Sequence, residues 1–122
     1  SDFIILIIIY NNYDYTFMNT FDERKKAFEA KFLQDEDLKF KLRAKRNKKI
    51  AEWAADLLNK TGDENYIKEV RESDLEKPGD DDIIDKLLND FSTHNISINR
   101  DEIISKINEY ENNVKEEMMS ED

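Results

Sequence analysis

Apolar positions follow two different rules along this chain. Phe3 to Tyr10 is one unbroken run of eight apolar residues, mostly β-branched or aromatic, the composition of a strand or of an aggregation-prone segment. From Thr20 onward, apolar residues return every three or four positions and polar residues fill the gaps, which predicts helices joined by short loops. Thr20-Phe21-Asp22-Glu23 reads as a capping box at the first helix start, with both acids at the positive end of the helix dipole. No Gly or Pro follows until Gly62, and Gly62 suits a helix C-cap. Asp63 then caps a short helix bearing Tyr66, Ile67 and Val70. Lys77-Pro78-Gly79-Asp80 is a turn, and Asp80 to Asp82 put negative charge at the start of the next helix. Ile83, Ile84, Leu87, Leu88 and Phe91 form its apolar stripe. Asn99 and Glu102 cap a last helix carrying Ile103, Ile104, Ile107, Tyr110 and Val114, and the acidic tail from Lys115 is expected to fray.

The long Gly-free stretch does not keep a single stripe. At 100° per residue, Phe21, Phe28 and Phe32 fall within about 40° of one another. Leu38 and Leu42 lie roughly 60–100° away, and Ile50, Trp53, Ala54 and Leu57 return close to the first face. Gln34-Asp35-Glu36-Asp37 separates the stripes. Two readings stand: a kink or helix break that leaves the Phe segment semi-independent, or one long helix whose neighbours change along its length.

Charge divides the chain further. Residues 21–60 hold 12 Lys and Arg against 8 Asp and Glu, and residues 61–122 hold 7 against 19, within a net charge of −10 over 122 residues. Pairing of a basic front half with an acidic back half is the simpler expectation, and two faces offered to a partner the other. Residues 1–17 differ from the rest in composition, and Met18 precedes a good helix start. They read as an artefact of gene prediction or a fused extension, with an edge strand or surface-anchoring segment as the alternative.

Little of the chain carries catalytic chemistry. It has no Cys and one His, which excludes thiolate sites and His clusters. Two isolated Gly cannot build a phosphate loop. Asp80-Asp81-Asp82 lacks the ligand spacing of a calcium loop and reads as helix capping. His94 has no nucleophile beside it, and Trp53 with Ala54 and Ala55 reads as a core anchor. Lys39, Lys41, Arg43, Lys45, Arg46, Lys48 and Lys49 put seven bases in eleven residues. Of these, Lys41, Arg43, Lys45 and Arg46 are the candidate phosphate or nucleotide contacts, against the alternative of a solvated, internally paired face.

The chain resembles the zeta subunit (ATPase inhibitor) family of alphaproteobacterial F-type ATP synthases. The matching features are FDERKKAFEAKF (21–32), Asp35, FKLRAKRNK (40–48), Trp53-Ala54-Ala55, Gly62, Tyr66, DLEKPGDDD (74–82) and Asp90-Phe91, in that order. Lys45 stands where the family usually has Arg, Ala51 where it has Gly, and Leu75 where it has Phe. Residues 1–17 match nothing in the family. The resemblance implies an all-α fold, a small four-helix bundle over residues 35–122 with an N-terminal helical or disordered arm over residues 18–34. It implies a regulatory inhibitor of ATP hydrolysis rather than an enzyme. The arm would insert at a catalytic interface among the alpha, beta and gamma subunits of the head, through Thr20, Phe21, Asp22, Arg24, Lys25, Phe28, Glu29, Lys31 and Phe32. The resulting expectations are a cytoplasmic protein associated with the head at the inner membrane, monomeric when free, with no nucleic-acid partner and no membrane insertion. No cofactor is implied beyond weak adenine-nucleotide binding. The rival readings are a zeta-like accessory bundle without inhibition, and nucleotide or polyanion binding through residues 39–49.

Overall fold

The computed structural model describes residues 22–74 and 79–121, and these form five α-helices with no strand among them. The helices are α1 (22–34), α2 (Glu36–Leu57), α3 (Glu64–Ser73), α4 (Asp81–Thr93) and α5 (Arg100–Glu121). The all-α expectation holds: one of the five helices, α1, lies in the segment expected as an arm, and four, α2 to α5, lie within residues 36–121. The strand-like run at residues 3–10, the Thr20–Phe21 half of the capping box and the Lys77-Pro78 half of the turn lie outside the described residues.

Backbone contacts divide the chain into two compact units, residues 1–39 and 40–122. In the first, α1 ends at residue 34 and Asp35 interrupts the helical run. The cause is local. The Asp35 carboxylate accepts from the Leu38 amide at 3.1 Å, so its side chain satisfies a donor that a continuous helix would leave to the backbone. The Asp35 amide still donates to the Lys31 carbonyl, and the Asp35 carbonyl accepts from Lys39. The acidic step is therefore a helix start, with Glu36 and Asp37 in the first turn of α2.

The second unit holds most of α2 and all of α3, α4 and α5 about one apolar core. α2 supplies Ile50, Ala51, Ala54 and Ala55; α3 supplies Tyr66, Ile67 and Val70; α4 supplies Ile83, Ile84, Leu87 and Phe91; α5 supplies Ile103 and Ile107. The Trp53 ring packs edge-on against Phe91 at 5.5 Å and 78°, a favoured aromatic geometry. Leu57, expected on the core stripe, is 41% exposed. The buried line of α2 instead runs through Leu42, Arg46, Ile50 and Ala54, four residues apart, and carries on to Leu58.

Asparagine closes two of the helices. At the end of α2, Asn59 has φ 58°, its amide donates to the Asp56 carbonyl, and the Lys60 amide donates to Ala55. At the end of α4, Asn95 has φ 59°, its amide donates to Ser92, and the Ile96 amide donates to Phe91. Both are Schellman closures, in which a left-handed residue lets the chain turn back onto the last carbonyls. The expected cap at Gly62 is displaced to Asn59, and Gly62 (φ 74°) serves the next turn. Asp63 caps α3 as expected, accepting from the Asn65 and Tyr66 amides. Asn99 accepts from the Glu102 amide at 2.8 Å at the start of α5. The expected fraying from Lys115 does not occur, since α5 continues to Glu121. Val114 and Met118 are buried one turn apart, and Glu117 meets Lys49 at 2.7 Å.

The buried phenol of Tyr66 has a titration consequence. Tyr66 donates to Asp90 at 2.8 Å. Burial first, then this bond and the nearby Asp90 and Glu69 charges, push its ionisation well above the ordinary value of 10.0. A raised folded-state value stabilises fully below the unfolded value, and the contribution is lost as pH climbs above about 10. Spectrophotometric titration at 295 nm should show Tyr66 protonated until the chain unfolds, with Tyr66→Phe removing that signal. A Tyr66 that ionises near pH 10 in the folded chain contradicts this.

Candidate functional site

α1 carries the charged residues of the expected arm on its surface. Asp22, Arg24, Lys25, Lys26, Glu29 and Lys31 are all exposed. None of the four cations has an ion-pair partner among the described residues. The aromatic stripe is not open in the same way. Phe28 is only 7% exposed and Phe32 is half-buried. Thr20 and Phe21 lie outside the described residues.

Most of the basic run on α2 falls into two sets, apart from Lys39, which pairs with Glu36 at 3.2 Å. The inward set is Arg43, Arg46 and Lys49, with Asn47 beside them. Arg43 holds Asp74 with both arms of its guanidinium, Nε to Oδ2 at 2.5 Å and Nη2 to Oδ1 at 2.9 Å. Its Nη2 also donates to the Gly79 carbonyl and meets Asp80 at 3.3 Å. The hydrogen bond to Asp74 is the main reason the Arg43 guanidinium is held above its ordinary value, with burial opposing and the charges of Asp74, Asp80 and Glu111 adding. Arg46, buried, donates to Asp80 at 2.8 Å and lies 3.6 Å from Glu111. It also donates to the side-chain Oδ1 of Asn47, and the Asn47 Nδ2 in turn donates to Asp74 at 2.7 Å. This clasp ties the end of α3 and the start of α4 to α2. A planar guanidinium meeting a carboxylate through two bonds fixes orientation as well as charge.

The clasp corrects one expectation. Asp80 is the N-cap residue of α4 but makes no capping bond with its side chain, because Arg46 and Arg43 hold its carboxylate. Asp81 and Asp82 remain in the first turn. Asn47, Asp74 and Glu111 were not singled out as site residues by the sequence, and Asp80 was singled out only as a helix cap. The signal that reaches them is the excess of base before residue 60 and of acid after it.

The outward set is Lys41, Lys45 and Lys48, all exposed. Lys45 lies 3.7 Å from Glu121, and Lys41 and Lys48 have no ion pair among the described residues. Of the four candidate phosphate contacts, then, Arg43 and Arg46 already hold carboxylates, while Lys41 and Lys45 face outward. Beside them a cleft of about 330 Å³ opens between α2 and α3, with Phe40, Ala44 and Ile67 among its lining residues. His94 Nδ1 lies 2.9 Å from the Asp90 carbonyl and is exposed. No helix among the described residues is long and apolar enough to cross a membrane.

The family model described as ATPase inhibitor subunit zeta matches residues 18–117. No curated protein matches the chain. The match takes in α1, the clasp and the core, and leaves residues 1–17 outside it.

Proposed function

Because the chain belongs to the ATPase inhibitor subunit zeta family, we propose that it lowers ATP hydrolysis by an F-type ATP synthase, with residues 18–34 inserting as a helix at a catalytic interface of the head. Its partners are then the alpha, beta and gamma subunits, and its place is the cytoplasmic face of the inner membrane. Its role is regulatory and not catalytic. The observation that carries the reading is the extent of the family match, 18–117, which includes the arm. The form of α1 supports it: a helix within the compact unit of residues 1–39, with Arg24, Lys25, Lys26 and Lys31 exposed for carboxylates on the partner. Helix insertion into a groove is a common mode of recognition.

The covered Phe28 changes how the arm engages. An aromatic stripe already offered to solvent would bind at once. Here Phe28 has to leave its present surroundings first, at a cost of roughly 1.5–3 kcal/mol for exposing the ring, which the groove must return. Engagement then includes a rearrangement of the arm. The test is ATP hydrolysis by purified head titrated with the full chain, where saturable loss of rate is expected and an unchanged rate counts against the reading. A phosphate or nucleotide at residues 39–49 would have to compete with Asp74 and Asp80 for Arg43 and Arg46.

A further inference from the structure

We infer that Lys41, Lys45 and Lys48 form a docking ridge for an acidic patch on a protein surface, separate from the inserting arm. This rests on the reading that the chain binds the ATPase head.

Acids outnumber bases 29 to 19 in this chain, so internal carboxylates are plentiful. The inward cations of α2 all find one: Arg43 takes Asp74, Arg46 takes Asp80, and Lys49 takes Glu117. The three lysines between them do not share in this. They fall within about 60° of arc and span roughly 10 Å of helix, every one exposed. The lone contact, Lys45 to Glu121 at 3.7 Å, is a long exposed pair of little worth. Glu52 ends the stripe.

Phe40 stands on the flank of this ridge, 69% exposed, over the cleft it shares with Ala44. An exposed aromatic ring beside three cations is the composition of a protein interface, where aromatic residues are enriched. The alternative polyanions fit less well. Three cations neutralise about three phosphates, and a net charge of −10 repels a long nucleic acid or an anionic bilayer beyond contact range.

The test compares two full-length variants of equal net charge. K41Q/K45Q/K48Q removes three positive charges from the ridge. S105E/N108E/N112E adds three negative charges to exposed positions on α5. Binding to immobilised head is measured at about 0.01 M and about 0.15 M salt, Debye lengths of roughly 30 and 8 Å. The ridge variant should lose about tenfold in affinity at the lower salt and only a few-fold at the higher, while the α5 variant stays within about twofold of the parent. Equal losses in both variants mean that net charge alone is at work and overturn the ridge. Tighter binding of the parent to duplex DNA or phosphatidylglycerol vesicles than to head, lost in the ridge variant, overturns the assignment of a protein partner. A parent chain that does not bind head at all removes the proposed function itself and, with it, the ridge's partner.

Discussion

Phe91→Ala is expected to lower the free energy of unfolding by about 3–5 kcal/mol, the range for large aromatic truncations in a packed core. Phe91 is fully buried in α4 and lies in the core cluster with residues of α2, α3 and α5. The variant loses the transfer energy of the ring and leaves a hole that rigid neighbours fill only in part. It also strips Trp53 of its edge-on partner, a contact worth about 0.5–1.5 kcal/mol beyond area alone. The backbone closure at the end of α4 survives, because the Phe91 carbonyl and not its ring accepts from Ile96. Against a typical total of about 5–15 kcal/mol, the loss is large. Urea unfolding followed by Trp53 fluorescence measures it, and a loss under about 1 kcal/mol contradicts the packing described.

The second large effect belongs to the clasp. Arg43→Met should cost about 2–3 kcal/mol, less than the ~3–5 kcal/mol of a fully buried pair, because the Arg43 side chain is 38% exposed and solvent screens it. What remains is the Asp74 carboxylate, 3% exposed, with Asn47 as its one other side-chain donor among the described residues. The Gly79 carbonyl loses its donor as well. The expected penalty is therefore mainly that of a stranded charge and not that of a lost attraction. Asp74→Leu in the same chain removes the stranded charge and should restore most of the loss. The four-protein cycle of parent, two single variants and the double separates the two explanations. Additive losses in the double variant show that the residues are not coupled and contradict the clasp.

Some elements were legible because their burial follows a simple period. Tyr66, Ile67 and Val70, then Ile83, Ile84, Leu87 and Phe91, then Ile103, Ile107 and Val114 are apolar, evenly spaced and buried. α2 was harder, since its buried face passes through Arg46 and Asn47, and polar residues at core-facing positions look like surface. The partner that makes their burial tolerable, Asp74, lies 27 residues from Asn47, and no local pattern points to it. The helix ends show a smaller version of the same problem. Gly62 drew attention as the residue freest to adopt positive φ, but Asn59 and Asn95 adopt it, and Asn is the side-chain-bearing residue that most often does.

The first helix was legible in part. Asp35 marks the break, one of the two readings the acidic step left open, and its capping bond to Leu38 is the physical reason. The spacing of Phe21, Phe28 and Phe32 says only that the rings share a face. It does not say whether that face is open, and Phe28 proves to be covered. Periodicity reports which residues want to leave water, and a binding stripe and a core stripe look the same by that measure.

ATP hydrolysis by purified head, titrated in parallel with the full chain and with a chain lacking residues 1–34, tests the role of the arm most directly. The full chain should inhibit and the shortened one, with residues 40–122 folded by circular dichroism, should not. Equal inhibition by both would place the activity in the helices that follow and contradict the account.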